Sequence, residues 1–281
     1  MSNLISVEQL KKKLSGTSTG IAIVDCRFNL AEPEAGRRAY AEGHLPGAVY
    51  MDLNEDLSGP VGKHGGRHPL PDRDKLARRL GELSIGNGTE VVAYDDQGGM
   101  YASRLWWLLK WIGHDKASVL DGGFSGWIAA GYETTTEVPE AEPSVYVPSR
   151  QAEWDFVDAQ GVKARLGTPG MQLIDSREER RYLGLEEPID KAAGHIPGAR
   201  SFFWKDVLSG DGRWKDPAQL KERFGSLDPS REVIVYCGSG VSACPNVLAL
   251  KEAGFQDVKL YAGSWSDWIS YEGNPIATGE E

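Results

Sequence analysis

The chain has 281 residues, a length that predicts two domains of ordinary size. It is 40% hydrophobic and 26% charged, the composition of a folded globular protein with substantial cores. Its 41 acidic side chains outnumber 31 basic ones, a formal net charge of -10 that argues against nucleic acid or an anionic membrane as the main partner.

In chain order, residues 1–15 (MSNLISVEQLKKKLS) have no apolar signal core and read as a helix, with Ser6 and Gln9 at capping-box spacing. Residues 21–27 (IAIVDCR) predict a strand ending in an acid and a base, and residues 43–48 (GHLPGA) a shaped loop. Residues 91–94 (VVAY) predict a β-branched strand closed by tyrosine. Residues 104–112 (RLWWLLKWI) read as a helix whose Trp and Leu pack a core, ending near Gly113. Residues 120–127 (LDGGFSGW) follow as a short strand and a Trp-bearing turn. Residues 133–150 (ETTTEVPEAEPSVYVPSR), polar and with three prolines, predict an extended connector.

The second half then repeats the first. Residues 173–177 (LIDSR), 194–199 (GHIPGA), 233–236 (VIVY), a helical stretch ending near Gly254, and 261–268 (YAGSWSDW) return in the same order. The fold class expected is α/β: two tandem domains, each a parallel sheet flanked by helices. The first is expected over residues 1–137, the linker over 138–152 and the second over 153–281.

The two copies differ in the loop after the tyrosine-terminated strand, where α/β sheets bind ligands. The second copy reads YCGSGVSACP from Tyr236, and the first reads YDDQGGMYA from Tyr94. Asp95 therefore stands opposite Cys237. Gly238 and Gly240 let the backbone curl so that main-chain N–H groups point at the sulfur, as an anion-binding nest. A helix expected to begin near Ser242, with Pro245 in its first turn, adds its positive end. Such a site favours a thiolate over a thiol. The N–H groups of Gly238, Gly240, Val241 and Ser242 are the expected cradle for a substrate's anionic sulfur.

Three cysteines in a chain this long make no disulfide framework. Cys26, in a strand, and Cys244, on a helix, read as small buried apolar residues. The seven-residue spacing of Cys237 and Cys244 makes no chelating pair, and His64 and His68 lie in a glycine-rich loop without acidic or cysteine partners. No metal and no cofactor are expected. A Cys-dependent phosphatase needs an arginine six places after its cysteine, where this chain has Ala243. A non-catalytic binding module is the remaining rival, and the retained thiol in its glycine nest speaks against it.

The doubled domain, the GHLPGA and GHIPGA segments and the loop from Cys237 to Ser242 resemble the two-domain rhodanese family, in particular its 3-mercaptopyruvate sulfurtransferase branch. The likeness extends over essentially the whole chain. It implies that the first copy is catalytically silent and that Cys237 takes sulfur from a small anionic donor as a persulfide. The persulfide then passes its sulfur to a thiol, to cyanide or to a thioredoxin-like acceptor. It also implies that Ser239 takes part in mercaptopyruvate chemistry, that Arg181 binds the donor's anionic group, and that His68 approaches the site from the first half. The histidines His44 and His195 stand at matching places in the two copies, including the one with Asp95 at the nucleophile's place, and so read as architecture.

Neutral Gly238 and Ser239 after the cysteine fit monoanionic 3-mercaptopyruvate, with thiosulfate as the alternative donor. The branch commonly has a second arginine nine residues after Arg181; here that place is Asp190, with Lys191 beside it. The expected location is the cytoplasm.

Overall fold

A computed structural model describes residues 2–16, 20–149 and 156–280. The chain divides into two compact units that do not follow the sequence halves strictly. Unit 1 comprises Met1–Gly59, Pro71–Glu153 and Gly210–Trp214; unit 2 comprises Pro60–Leu70, Trp154–Ser209 and Lys215–Glu281. Each half therefore lends a short segment to the other unit.

Unit 1 runs β1 (Leu4–Ser6), α1 (Val7–Leu14), β2 (Ile21–Asp25), α2 (Ala35–Glu42), β3 (Ala48–Tyr50), α3 (Arg73–Glu82), β4 (Glu90–Tyr94), α4 (Met100–Trp111), β5 (Ala117–Asp121) and α5 (Gly123–Ala129). Its five strands lie in the order β1-β5-β4-β2-β3 and every pair is parallel. The capping box at Ser6 forms as the sequence requires: the Gln9 N–H donates to Ser6 Oγ at 3.2 Å and the Ser6 N–H to Gln9 Oε1 at 2.9 Å. The edge strand β1 just before it was not foreseen, because three residues are too few to show a period of two. In α4, Trp106 and Trp107 are fully buried, so the aromatic excess is core packing.

Unit 2 repeats this as β6 (Phe156–Val157), α6 (Ala159–Lys163), β7 (Gln172–Asp175), α7 (Glu179–Tyr182), β8 (Ala199–Ser201), α8 (Pro217–Arg223), β9 (Val233–Tyr236), α9 (Cys244–Glu252), β10 (Val258–Tyr261) and α10 (Ser264–Trp268). The strand order is β6-β10-β9-β7-β8, again all parallel. Corresponding strands thus occupy corresponding places, and the central strand of each sheet, β4 or β9, is the one closed by tyrosine.

The repeated motifs have one physical origin. Arg27 forks onto Asp25, its Nη2 reaching Oδ2 at 2.6 Å and the Gly43 carbonyl at 2.7 Å. Arg177 does the same with Asp175 at 2.6 Å and Gly194 at 2.5 Å. The tyrosine hydroxyls then accept the next N–H of the loop, Leu45 on Tyr94 at 3.3 Å and Ile196 on Tyr236 at 3.1 Å. Strand, acid–base pair, GHxPGA loop and tyrosine are one buried network, built twice.

After α5 the connector runs without regular elements as far as residue 149. It is tied to unit 1 by the Ser144 N–H on the Gly81 carbonyl and the Val147 N–H on Asn87 Oδ1, both at 2.9 Å. The end of the expected linker, residues 150–152, lies outside the described residues.

Candidate active site

Cys237 stands at the carboxyl end of β9, 1% exposed, with strands on both sides fixing its backbone. The Gly240 N–H donates to Cys237 Sγ at 3.2 Å. The turn that brings it there needs glycine. Gly240 has φ +77, and a Cβ on it would lie 2.1 Å from the Ala262 carbonyl oxygen. The helix beyond begins at Cys244, two residues later than expected from Ser242. Residues 241–243 form a turn first, closed by the Cys244 N–H on the Val241 carbonyl at 3.0 Å. Pro245 does lie in the helix's first turn.

The first copy shows what this loop shape is for. There the side chain at the cysteine's place is Asp95, 1% exposed, and its carboxylate accepts four main-chain N–H groups. Oδ1 accepts from Gln97 at 2.8 Å and Gly99 at 2.9 Å, and Oδ2 from Tyr101 at 2.7 Å and Ala102 at 2.9 Å. Burial pushes the Asp95 carboxyl above the usual aspartate value, although each of these N–H groups pulls it down. In unit 1 the loop closes over the protein's own acid, and at the equivalent place in unit 2 stands a sulfur.

A second support for the cysteine was not read from sequence. Ser264 Oγ accepts the Cys237 N–H at 3.0 Å and lies 3.9 Å from Sγ, fully buried. Its φ is +57, and the residue at the same place in unit 1 is Gly123, with φ +55. The equivalence follows from matching bonds: Trp265 N–H on the Cys237 carbonyl and Phe124 N–H on the Asp95 carbonyl, both at 2.9 Å. A serine held where its twin is glycine carries backbone strain of about 1–3 kcal/mol. Its hydroxyl satisfies the cysteine's main-chain N–H in return.

Ser239 and His68 come together: His68 Nδ1 and Ser239 Oγ are 2.7 Å apart, and both residues are 6% exposed. Val241 is buried and Ser242 partly so, on the turn leading to α9. Arg181, on α7, is 12% exposed in its side chain and braced by two carboxylates, Glu187 at 2.6 Å and Asp190 at 3.2 Å. Burial alone would raise the Glu187 carboxyl, but its bonds from Arg181 and nearby N–H groups hold it below the usual glutamate value.

The sequence reading passed over Arg67. Its Nη1 pairs with Asp190, and its Nη2 would lie 2.9 Å from a Cβ placed on Gly238. Arg181 Nη2 and Nη1 would lie 3.7 and 3.8 Å from that same point. Two guanidinium groups thus converge on the residue that follows Cys237.

Arg177, Arg180, His44 and His195 have structural partners. Arg177 is sealed against Asp175, and exposed Arg180 pairs with Glu186 at 2.9 Å. His44 and His195 are fully buried, each stacked on a tyrosine (Tyr40 and Tyr182) with ring centroids 3.9 Å apart. Each also brings Nδ1 within 2.8 Å of that tyrosine's own carbonyl. That the two copies share this arrangement, only one of them having a cysteine in the loop after the tyrosine-terminated strand, agrees with an architectural role. Among the described residues no group of three or more His, Cys, Asp or Glu side chains is placed to hold a metal ion, and no helix is long and apolar enough to cross a membrane.

Comparison with known proteins agrees with this geometry. The description of the rhodanese-like domain matches twice, over residues 6–130 and 158–271. A probable 3-mercaptopyruvate sulfurtransferase of Pseudomonas aeruginosa is 45% identical, covering 99% of this chain and 98% of its own. A thiosulfate sulfurtransferase of Cricetulus griseus is 34% identical over 95% of this chain and 91% of its own. Among solved structures, the 3-mercaptopyruvate sulfurtransferase from Leishmania major superposes with a TM-score of 0.84 at 27% identity, covering 98% of this chain and 76% of that one.

Proposed function

The chain belongs to the rhodanese family of sulfurtransferases, with two copies of the domain, and on that premise we propose that it carries sulfur from 3-mercaptopyruvate to an acceptor through a persulfide on Cys237. The observation that carries this reading is the pair of equivalent loops, one closed by four N–H groups over the Asp95 carboxylate and the other presenting the Gly240 N–H to a sulfur.

The Cys237 thiolate attacks the donor's sulfur. A sulfur–sulfur bond forms as the carbon–sulfur bond breaks, and the pyruvate enolate leaves. Ser239, backed by His68 at 2.7 Å, passes a proton to the enolate carbon to make the methyl group and takes one back from the donor's S–H, now on the outer sulfur, which leaves the persulfide as an anion. A thiolate or cyanide then attacks the outer sulfur and releases the Cys237 thiolate. The charge on sulfur is present before and after loading, so the same fixed N–H groups serve both half-reactions. No metal or cofactor enters these steps.

Arg181 takes the donor's carboxylate, for which a guanidinium fork is suited. A monoanionic donor fits better than thiosulfate, because the side chains at Gly238 and Ser239 add no positive charge. The catalytic copy is residues 153–281, the silent copy residues 1–137, and residues 138–152 link them. The acceptors are thiols, including thioredoxin-like ones, or cyanide, in the cytoplasm and away from membrane and nucleic acid. The formal charge of -10 and three free cysteines support that setting.

The test is a kinetic comparison on the purified chain. A larger kcat/KM is expected for 3-mercaptopyruvate with a thiol acceptor than for thiosulfate with cyanide. The reverse order would overturn the donor assignment.

A further inference from the structure

We infer that the acceptor has a site of its own: Lys63 and Lys191, at the mouth of the cleft beside Gly238, hold the carboxylate of a small anionic thiol while its sulfur takes the one carried by Cys237. The inference rests on the reading that Cys237 is loaded with sulfur, and it adds the class of acceptor that unloads it.

Charge is the first support. The cleft has a volume of about 490 Å³, and every residue lining it belongs to unit 2. Three cations, Lys63, Arg67 and Lys191, and one carboxylate, Asp190, face it, in a chain whose formal charge is -10. Arg67 pairs with Asp190, which also pairs with Arg181 at 3.2 Å. Among the described residues the Lys63 and Lys191 side chains have no ion-pair partner. Two uncompensated ammonium groups on one cleft, against the charge of the whole chain, mark a place for an anion.

Depth is the second. Lys63 and Lys191 are exposed, whereas Arg67 and Ser266 are half-buried. The Ser266 N–H donates to the Gly238 carbonyl at 2.9 Å, and the Arg67 N–H to Ser266 Oγ at 3.1 Å. The inner wall therefore touches the residue after Cys237, and the lysines stand outside it. Val61 and Ile189, 70% and 51% exposed, line the same cleft and offer apolar surface to a short alkyl body. The base under Lys63 is fixed: next in sequence, His64 stacks on Tyr271 at 3.9 Å between centroids, and the Gly65 N–H donates to Asp267 Oδ1 at 2.7 Å.

The dimensions choose between a small thiol and a protein. Cys237 is 1% exposed, so its sulfur lies below the surface, and a cleft of this volume is of small-molecule size. A thiolate held by its carboxylate attacks the outer sulfur of the persulfide. A sulfur–sulfur bond forms on the acceptor as the bond to Cys237 breaks, and the electron pair returns to Cys237 as thiolate. The acceptor leaves as its own persulfide.

The experiment isolates unloading. The chain is loaded with sulfur, freed of donor by gel filtration and mixed with mercaptoacetate, 2-mercaptoethanol or cysteamine at matched thiolate concentration. Quenched-flow mass spectrometry then follows the return to the starting mass. Mercaptoacetate is expected to unload fastest. In Lys63→Ala/Lys191→Ala its rate falls roughly 3- to 20-fold, the loss of two partly exposed ion pairs, and that of 2-mercaptoethanol does not follow. Lys63→Arg/Lys191→Arg retains the preference, Lys63→Glu/Lys191→Glu turns it towards cysteamine, and salt at about 1 M erases it. Lys221→Ala, exposed on α8 away from the cleft, serves as the charge control and leaves the preference intact. Equal unloading by the three thiols, or a lysine-pair variant that keeps the native preference, would overturn the acceptor site. So would an equal slowing of loading by 3-mercaptopyruvate, which would give the lysines to the donor. A protein dithiol slowed by the lysine changes while mercaptoacetate is not would give the cleft to a protein partner and overturn the small acceptor. A chain that never loads sulfur fails at the earlier step, and with it the sulfur-transfer reading itself.

Discussion

Replacing Asp175 with alanine is expected to destabilise unit 2 by about 2–4 kcal/mol, the cost of taking from a buried guanidinium the nearer of its two carboxylates and leaving it Glu187 at 3.2 Å. Asp175 is fully buried, and the Arg177 side chain is 1% exposed. Burial works against the guanidinium's charge, but the Asp175 carboxylate outweighs it and the Arg177 pKa is raised. Three bonds from Arg177 side-chain nitrogens, at 2.6–3.1 Å, would be lost together. Arg177 also holds the Gly194 carbonyl at 2.5 Å, so the loop that seats His195 loosens with it. An internal control is the exposed pair Arg180–Glu186, at 64% and 43% side-chain exposure. Glu186→Ala there should cost under about 1 kcal/mol. Urea unfolding of the two variants checks both values, and an Asp175→Ala loss no larger than that of Glu186→Ala would contradict the account.

The second large effect is expected at Gly240. An alanine there must take φ +77 and overlap the Ala262 carbonyl oxygen at 2.1 Å, so the backbone has to move. The atom that moves is the one that matters, because the Gly240 N–H is the donor on Cys237 Sγ at 3.2 Å. By analogy with the loss of one donor at an oxyanion site, kcat should fall about 100- to 1,000-fold. Thiol alkylation at Cys237 should slow in parallel. Stability falls as well, by about 1–3 kcal/mol for the left-handed backbone alone. The neighbouring Gly238 makes the contrast: the atoms nearest its Cβ would be side-chain ends, Arg67 Nη2 at 2.9 Å and the Arg181 head at 3.7 Å, and no backbone, so its alanine variant keeps the nest. Near-normal kcat in Gly240→Ala would show that the loop N–H groups do not act on the sulfur.

What could be read from the sequence was whatever is local or repeated. The acid–base pairs Asp25–Arg27 and Asp175–Arg177 lie two residues apart, and duplication marked their loops and tyrosines as architecture. Cys237 stood out because its twin is Asp95 and because glycines surround it. The rest depended on chain geometry that a linear reading does not contain. His68 meets Ser239 across 171 residues, and Arg67 meets Asp190 across 123. Asp190, read alone, was a missing arginine; in the fold it is the anchor of another one. Ser264 went unnoticed because nothing in a serine signals a φ of +57, although its alignment with Gly123 carried the clue. The strand β1 and the start of α9 were set by pairing and by a turn, not by residue pattern.

One weighing decides whether this fold moves sulfur at all. Intact-protein mass spectrometry after exposure to 3-mercaptopyruvate, with no acceptor present, should find the native chain heavier by a single sulfur atom. Adding a thiol should return it to its starting mass, and the Cys237→Ser chain should never change. A native chain that stays at its original mass, or a serine variant that gains the same increment, would contradict the account.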